Sequence, residues 1–100
     1  MTYKVVITSV AQSNIEKAIV YYKNNVSVKV ASLFLQDFKH TINAIQKVKY
    51  FNFFFDHFRG KPLKKFPFIV FYTLDESSKI IMIKAVFNTN QDTNKYPKNK

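Results

Sequence analysis

The stretch Phe66–Asn88, FPFIVFYTLDESSKIIMIKAVFN, decides the fold. Two runs of β-branched and aromatic residues, Phe66–Leu74 and Ile80–Asn88, flank the polar Asp75–Lys79. Such runs read as strands, and the polar break between them reads as a hairpin turn. The first run is apolar almost throughout, which predicts a central strand buried on at least one face. Pro67 stands near its start, where a missing N–H is tolerated. Just upstream, the only glycine, Gly60, predicts a tight turn at Arg59–Pro62, because glycine readily takes a positive φ. Before that turn, YFNFFFDHF (Tyr50–Phe58) alternates at period two and reads as one strand, with a slip near Asp56.

Nearer the N-terminus the period changes. Tyr3–Thr8, YKVVIT, is a short buried strand. Ser9 followed by Gln12 has the form of a capping box, and Val10, Ile15, Ala18, Ile19 and Tyr22 then recur at helical spacing. Lys23–Ser27 breaks that helix, and Ser27 caps a longer one with the stripe Ala31, Phe34, Leu35, Phe38, Ile42 and Ile45. A short linker makes the two helices a hairpin. The order is β-α-α-β-β-β, an α+β fold in one domain, 1–100, with a polar tail expected to be flexible from about residue 92.

Composition bounds the chemistry. The 100 residues are 47% hydrophobic, enough for one core. The absence of cysteine excludes disulfides and thiolate metal sites, two histidines are too few for a His-rich site, and no cofactor is expected. No apolar run approaches the roughly 18 residues of a membrane span, and the N-terminal run has no cleavage motif, so a cytoplasmic protein without membrane contact is expected. The net charge of +10 attracts anionic partners. Fifteen of the sixteen basic residues are lysine, so sequence-specific reading of DNA, which favours arginine, is not expected.

Four short patterns, taken in order, carry a resemblance. They are Y-x-V-x-I-T-x-x-A from Tyr3, AIVYY from Ala18, RG-x-x-L-x-K-F-P-F from Arg59 and AVFNT-x-Q from Ala85. Over nearly its whole length the chain resembles the RelE/ParE toxins of type II toxin–antitoxin systems, in the branch known as plasmid stabilisation proteins. The resemblance implies a helical hairpin packed on a twisted antiparallel sheet and a cognate acidic antitoxin. It also implies one of two targets. RelE-like members cut mRNA on the ribosome, whereas ParE-like members bind DNA gyrase.

The arginines that the resemblance leads one to expect are replaced by Ile69 in FIVFY and by neutral residues among Asn88, Asn90 and Gln91. An amide cannot supply a charge-assisted bond to a developing phosphorane. Binding without catalysis tolerates that loss, so a ParE-like toxin is the favoured reading, with a RelE-like endoribonuclease or a silent family member as alternatives. Under the endoribonuclease reading the catalytic candidates are Arg59, Lys84 and Tyr96. The partner-binding candidates are Arg59, Lys61, Lys64, Lys65, Asn88, Asn90 and Gln91.

Arg59 either clamps a phosphate or carboxylate or pairs with Asp56, Asp75 or Glu76. Lys61, Lys64 and Lys65 form either a functional rim, held by Phe66, Phe68 and Val70, or a solubilising edge. Period-two counting places Lys84 on one face with Met82 and Val86, unless the strand is bulged. His57 and His40 read as packed or solvated side chains.

Overall fold

The computed structural model describes residues 3–55 and 57–89, apart from the side chains of residues 54 and 55. The elements are β1 (Lys4–Ile7), α1 (Ser9–Asn25), α2 (Val28–Val48), β2 (Phe53–Phe55), β3 (Phe58–Pro62), β4 (Phe68–Asp75) and β5 (Ile80–Asn88). They form one sheet in the order β1-β5-β4-β3-β2, with the helical hairpin packed against it. The α+β architecture is the expected one, but the sheet is mixed and not wholly antiparallel. β1 runs parallel to β5 because the helical hairpin and the three antiparallel strands after it bring the chain back to the end at which β1 begins. No helix among the described residues is long and apolar enough to cross a membrane.

The helices start where a side-chain oxygen can take an orphan N–H. Thr8, not Ser9, caps α1, its Oγ1 accepting from the Ala11 N–H at 3.3 Å. The same hydroxyl donates to the Ile83 carbonyl at 2.8 Å, so one residue ends β1 on β5 and begins α1. Ser27 caps α2 as the sequence predicts. In α1 the buried stripe is Ala11, Ile15 and Ala18, and Val10 is exposed because it lies one residue out of that phase. α2 buries Ala31, Phe34, Phe38 and Ile45 together with two polar residues, Asp37 and Thr41. Tyr22, Phe34, Phe66 and Phe68 then pack ring to ring, with centroids 5.0–6.3 Å apart.

The single strand expected over Tyr50–Phe58 is two. β2 pairs with β3 through Phe53–Arg59 and Phe55–Phe58, so the chain reverses where a slip was expected. The turn expected at Arg59–Pro62 is accordingly strand, and Gly60 has no positive φ. Gly60 instead stands opposite the fully buried Phe71, where the missing Cβ leaves room for that ring.

β5 carries the bulge left open by the sequence. Phe71 faces Ala85 but Tyr72 faces Ile83, so Lys84 is the extra residue. Ile81, Ile83 and Val86 consequently enter the helix-side core, while Ala85 and Phe87 join Ile69 and Phe71 on the other face. Period-two counting therefore fails across Lys84, and Val86 lies in the same core as Ile83.

Candidate functional site

Register decides where the cations point. Cross-strand partners share a face of a sheet. Arg59 pairs with Tyr72, Lys61 with Val70, and Leu63 continues the same alternation; Tyr72, Val70 and Leu63 all belong to the helix-side core. Arg59 and Lys61 therefore rise on the helix side. Lys84 is the bulge residue of β5, and β4 lies between it and Arg59 on β3, so the structure does not bring the catalytic candidates Arg59 and Lys84 together. Tyr96, the third candidate, and the partner candidates Asn90 and Gln91 lie outside the described residues.

The Arg59 guanidinium is already engaged. Its Nη1 donates to the Phe51 carbonyl at 2.8 Å, and its Cζ lies 3.9 Å from the Phe53 ring centroid and 5.3 Å from that of Tyr50. Lys61 Nζ sits 5.0 Å over the Phe51 ring. Tyr50 and Phe53 are 54% and 55% exposed, so this is an open ladder of alternating rings and cations. Neither described acidic partner expected for Arg59 is used that way. The side chains of Ser78 and Ser77 and the Ser78 N–H hold the Asp75 carboxyl below its usual range, and Glu76 accepts from Tyr50. Asp56 lies outside the described residues.

A buried hydroxyl positions the start of that ladder. Lys49 has φ 61° and ψ −36°, and the Tyr50 N–H reaches back to the Val48 carbonyl at 2.6 Å, a γ-turn of the strained hand. Such a residue costs on the order of 1–3 kcal/mol and persists only where its surroundings fix it. Tyr72, fully buried, does so, donating to the Lys49 carbonyl at 2.7 Å and accepting from the Phe51 N–H at 3.3 Å. Burial raises the Tyr72 pKa, while the Phe51 N–H and the Arg59 charge pull it back.

A buried carboxylate positions the other cationic loop. Asp37, 6% exposed on α2, accepts from the backbone N–H groups of Lys64 at 3.2 Å, Lys65 at 2.7 Å and Phe66 at 3.1 Å. Three donors on one carboxylate satisfy a turn that would otherwise bury its N–H groups. With Phe66 in the aromatic cluster, the exposed Lys64 and Lys65 side chains are held at the end of the sheet where Phe68 pairs with Asn88. The sequence reading missed Asp37, although an acidic residue between Phe34, Phe38 and Thr41 on an apolar stripe is the signal that could have found it.

The four described carboxylates are all taken by neutral donors, since Glu16 accepts from Gln12 in the same way that the other three accept from amides and hydroxyls. Positive charge is thus not consumed by ion pairs among the described residues. Asn88 lines a groove of about 520 Å³ between α1 and the end of the sheet, with Lys17, Tyr21, Tyr22, Phe68 and Phe87 among its walls. Asn14 closes its floor by accepting from the Val86 N–H at 3.0 Å. Ile69, standing where the resemblance places an arginine, is buried beside Phe71 and Ala85. His57 stacks on Phe58 at 4.8 Å and His40 is exposed on α2. Among the described residues, no three His, Cys, Asp or Glu side chains come together as a metal site.

No family model and no curated protein matches this sequence. Solved structures do. A chain of the chromosomal ParDE TA system from P. aeruginosa superposes with a TM-score of 0.77 at 16% identity, over 88% of this chain and 97% of that one. A chain of the toxin–antitoxin complex RelBE2 from Mycobacterium tuberculosis gives a TM-score of 0.58 at 10% identity, over 88% and 99%. The helical hairpin laid on a β1-β5-β4-β3-β2 sheet is therefore the RelE/ParE-like fold that the sequence resembles.

Proposed function

We propose that this chain is the toxin of a type II toxin–antitoxin system, acting by binding in the manner of the ParE branch. Its target is DNA gyrase and its partner an acidic antitoxin. The observation that carries the binding reading is the separation of Arg59 on β3 from Lys84 on β5 by the intervening strand β4, with the Arg59 guanidinium committed to the Phe51 carbonyl and two rings. Cleavage of RNA needs charges converging on one phosphorane. A binding toxin needs only a complementary surface. The antitoxin reading rests on charge, because carboxylates occupied by amides and hydroxyls leave the lysines to an outside anion. The likeness to chains of the ParDE and RelBE2 systems supports both.

The test is to induce the chain with and without a co-expressed small acidic protein from the adjoining reading frame, then assay gyrase and translated mRNA. Purified protein is expected to block supercoiling and leave mRNA on translating ribosomes intact. Cuts in that mRNA, lost in Arg59→Ala or Lys84→Ala, would replace this reading with the endoribonuclease one. Induction without any growth defect would sink both.

A further inference from the structure

The described residues with positive φ are both lysines, Lys49 in the γ-turn after α2 and Lys79 at the end of the β4–β5 turn, with φ 57°. Glycine or asparagine usually fills such positions, since any Cβ there is crowded. Both lysines aim at the same side chain. Lys49 Nζ lies 5.1 Å and Lys79 Nζ 5.6 Å from the ring centroid of Tyr3, which is itself buried. Their backbones are fixed separately. The Lys49 carbonyl accepts from Tyr72, and the Lys79 carbonyl accepts from the Lys4 N–H at 2.9 Å. Tyr3 is held by its own carbonyl, which accepts from Gln46 Nε2 at 3.1 Å.

Two ammonium groups brought to one ring repel each other, and none of the described carboxylates accepts a hydrogen bond from either of them. Asp75 accepts from Ser77 and Ser78, and Glu76 accepts from the Tyr50 hydroxyl, which also lies against Tyr3, so the Glu76 charge stands only at the margin of the pair. The C-terminal dipole of α2 accounts for a cation at Lys49. It does not account for Lys79 on a different element, nor for the shared ring. Exposed Lys4 and Lys47 add charge to the same end.

The geometry points to an anion site over Tyr3, in which the Lys49 and Lys79 ammonium groups together bind the oxygens of a phosphate group. A compact ammonium on a flexible stem suits a phosphate oxygen, and two of them on pre-set backbones bind it without ordering a loop. The site uses neither Arg59 nor Lys64 and Lys65 and does not depend on the toxin reading. The phosphate comes either from free inorganic phosphate or from a nucleic-acid backbone.

Backbone amide shifts of the full chain, followed while inorganic phosphate or a short single-stranded oligothymidylate is added, test this. Shifts are expected to concentrate on Tyr3, Lys49, Lys79 and Ile80. In the Lys49→Asn/Lys79→Asn variant affinity should fall about tenfold or more, while Lys23→Ala/Lys29→Ala, which removes the same charge elsewhere, should change it less than about twofold. If the asparagine variant fails to fold, Lys49→Gly/Lys79→Gly takes its place, as glycine suits both φ values. Tighter binding of the oligonucleotide identifies the backbone source, and tighter binding of phosphate the free ion. Shifts spread over all lysines, equal losses in the two double variants, or no shifts would overturn the site.

Discussion

The two loops that present cations at opposite ends of β3 are anchored by different chemistry. At Lys64–Phe66 a buried carboxylate, Asp37, gathers three N–H groups and the loop is held by charge-assisted bonds. At Lys49–Phe51 a buried hydroxyl, Tyr72, takes one carbonyl and one N–H and holds a strained turn by neutral bonds. In neither place does an acid neutralise the cations on display. A protein that must offer its positive charge to something else can tie its loops down through the backbone, leaving the cations of those loops without a carboxylate partner. That is the lesson of the pair, and it explains why so basic a chain uses its described acids on amides and hydroxyls.

The comparison can be broken most severely at Asp37. Asp37→Ala leaves three N–H groups without an acceptor beside the core, and should cost about 3 kcal/mol, a fall in Tm of roughly 15 °C for a domain of this size. Thermal unfolding followed by circular dichroism measures it, and a loss below about 1 kcal/mol would show that water replaces the carboxylate without difficulty. Tyr72→Phe is the matching change at the other end. It removes two neutral bonds and should cost about 1.5 kcal/mol. Because the γ-turn then loses its strap, amide exchange should quicken at Tyr50 and Phe51 and stay unchanged at Lys64–Phe66. Equal acceleration at both loops would mean that they are not separately anchored.

The smallest effect sharpens the contrast without touching the core. The Glu76 carboxylate beside its hydroxyl, helped by some desolvation, pushes the Tyr50 pKa up from 10.0 to about 12. The sign follows from linkage. A tyrosine whose folded pKa is raised contributes stability that is complete below the unfolded value and is lost as pH rises through the folded one, so the window here lies between pH 10 and about 12. Tyr50→Phe should therefore lower stability at neutral pH, only slightly because Tyr50 is exposed, while removing one late-titrating tyrosine from the ultraviolet pH titration. A titration curve identical in the two proteins would place Glu76 away from the hydroxyl.

Much of the architecture was legible because burial writes a period into the chain. The stripe Ala31, Phe34, Phe38 and Ile45 could only be one face of a helix, and Phe66–Asn88 could only be a hairpin of buried strands. The details that misled are those in which a tertiary contact overrides a local rule. Gly60 looked like a turn residue, yet it is needed as an absence, to admit Phe71 from the neighbouring strand. The true positive-φ positions fell on lysines, which no local preference would select.

Composition and periodicity by themselves determined the element order, the hairpin-on-sheet plan and a surface short of acids, since these depend on which side chains can leave water and how often they recur. Only the tertiary structure decided which way the cations face and what ties them. The register of β3 on β4 puts Arg59 and Lys61 on the helix side, a bulge at Lys84 exchanges the faces along β5, and both arise from hydrogen bonds between residues far apart in the chain. A one-residue shift in either would exchange the faces, and nothing local in the sequence marks that choice.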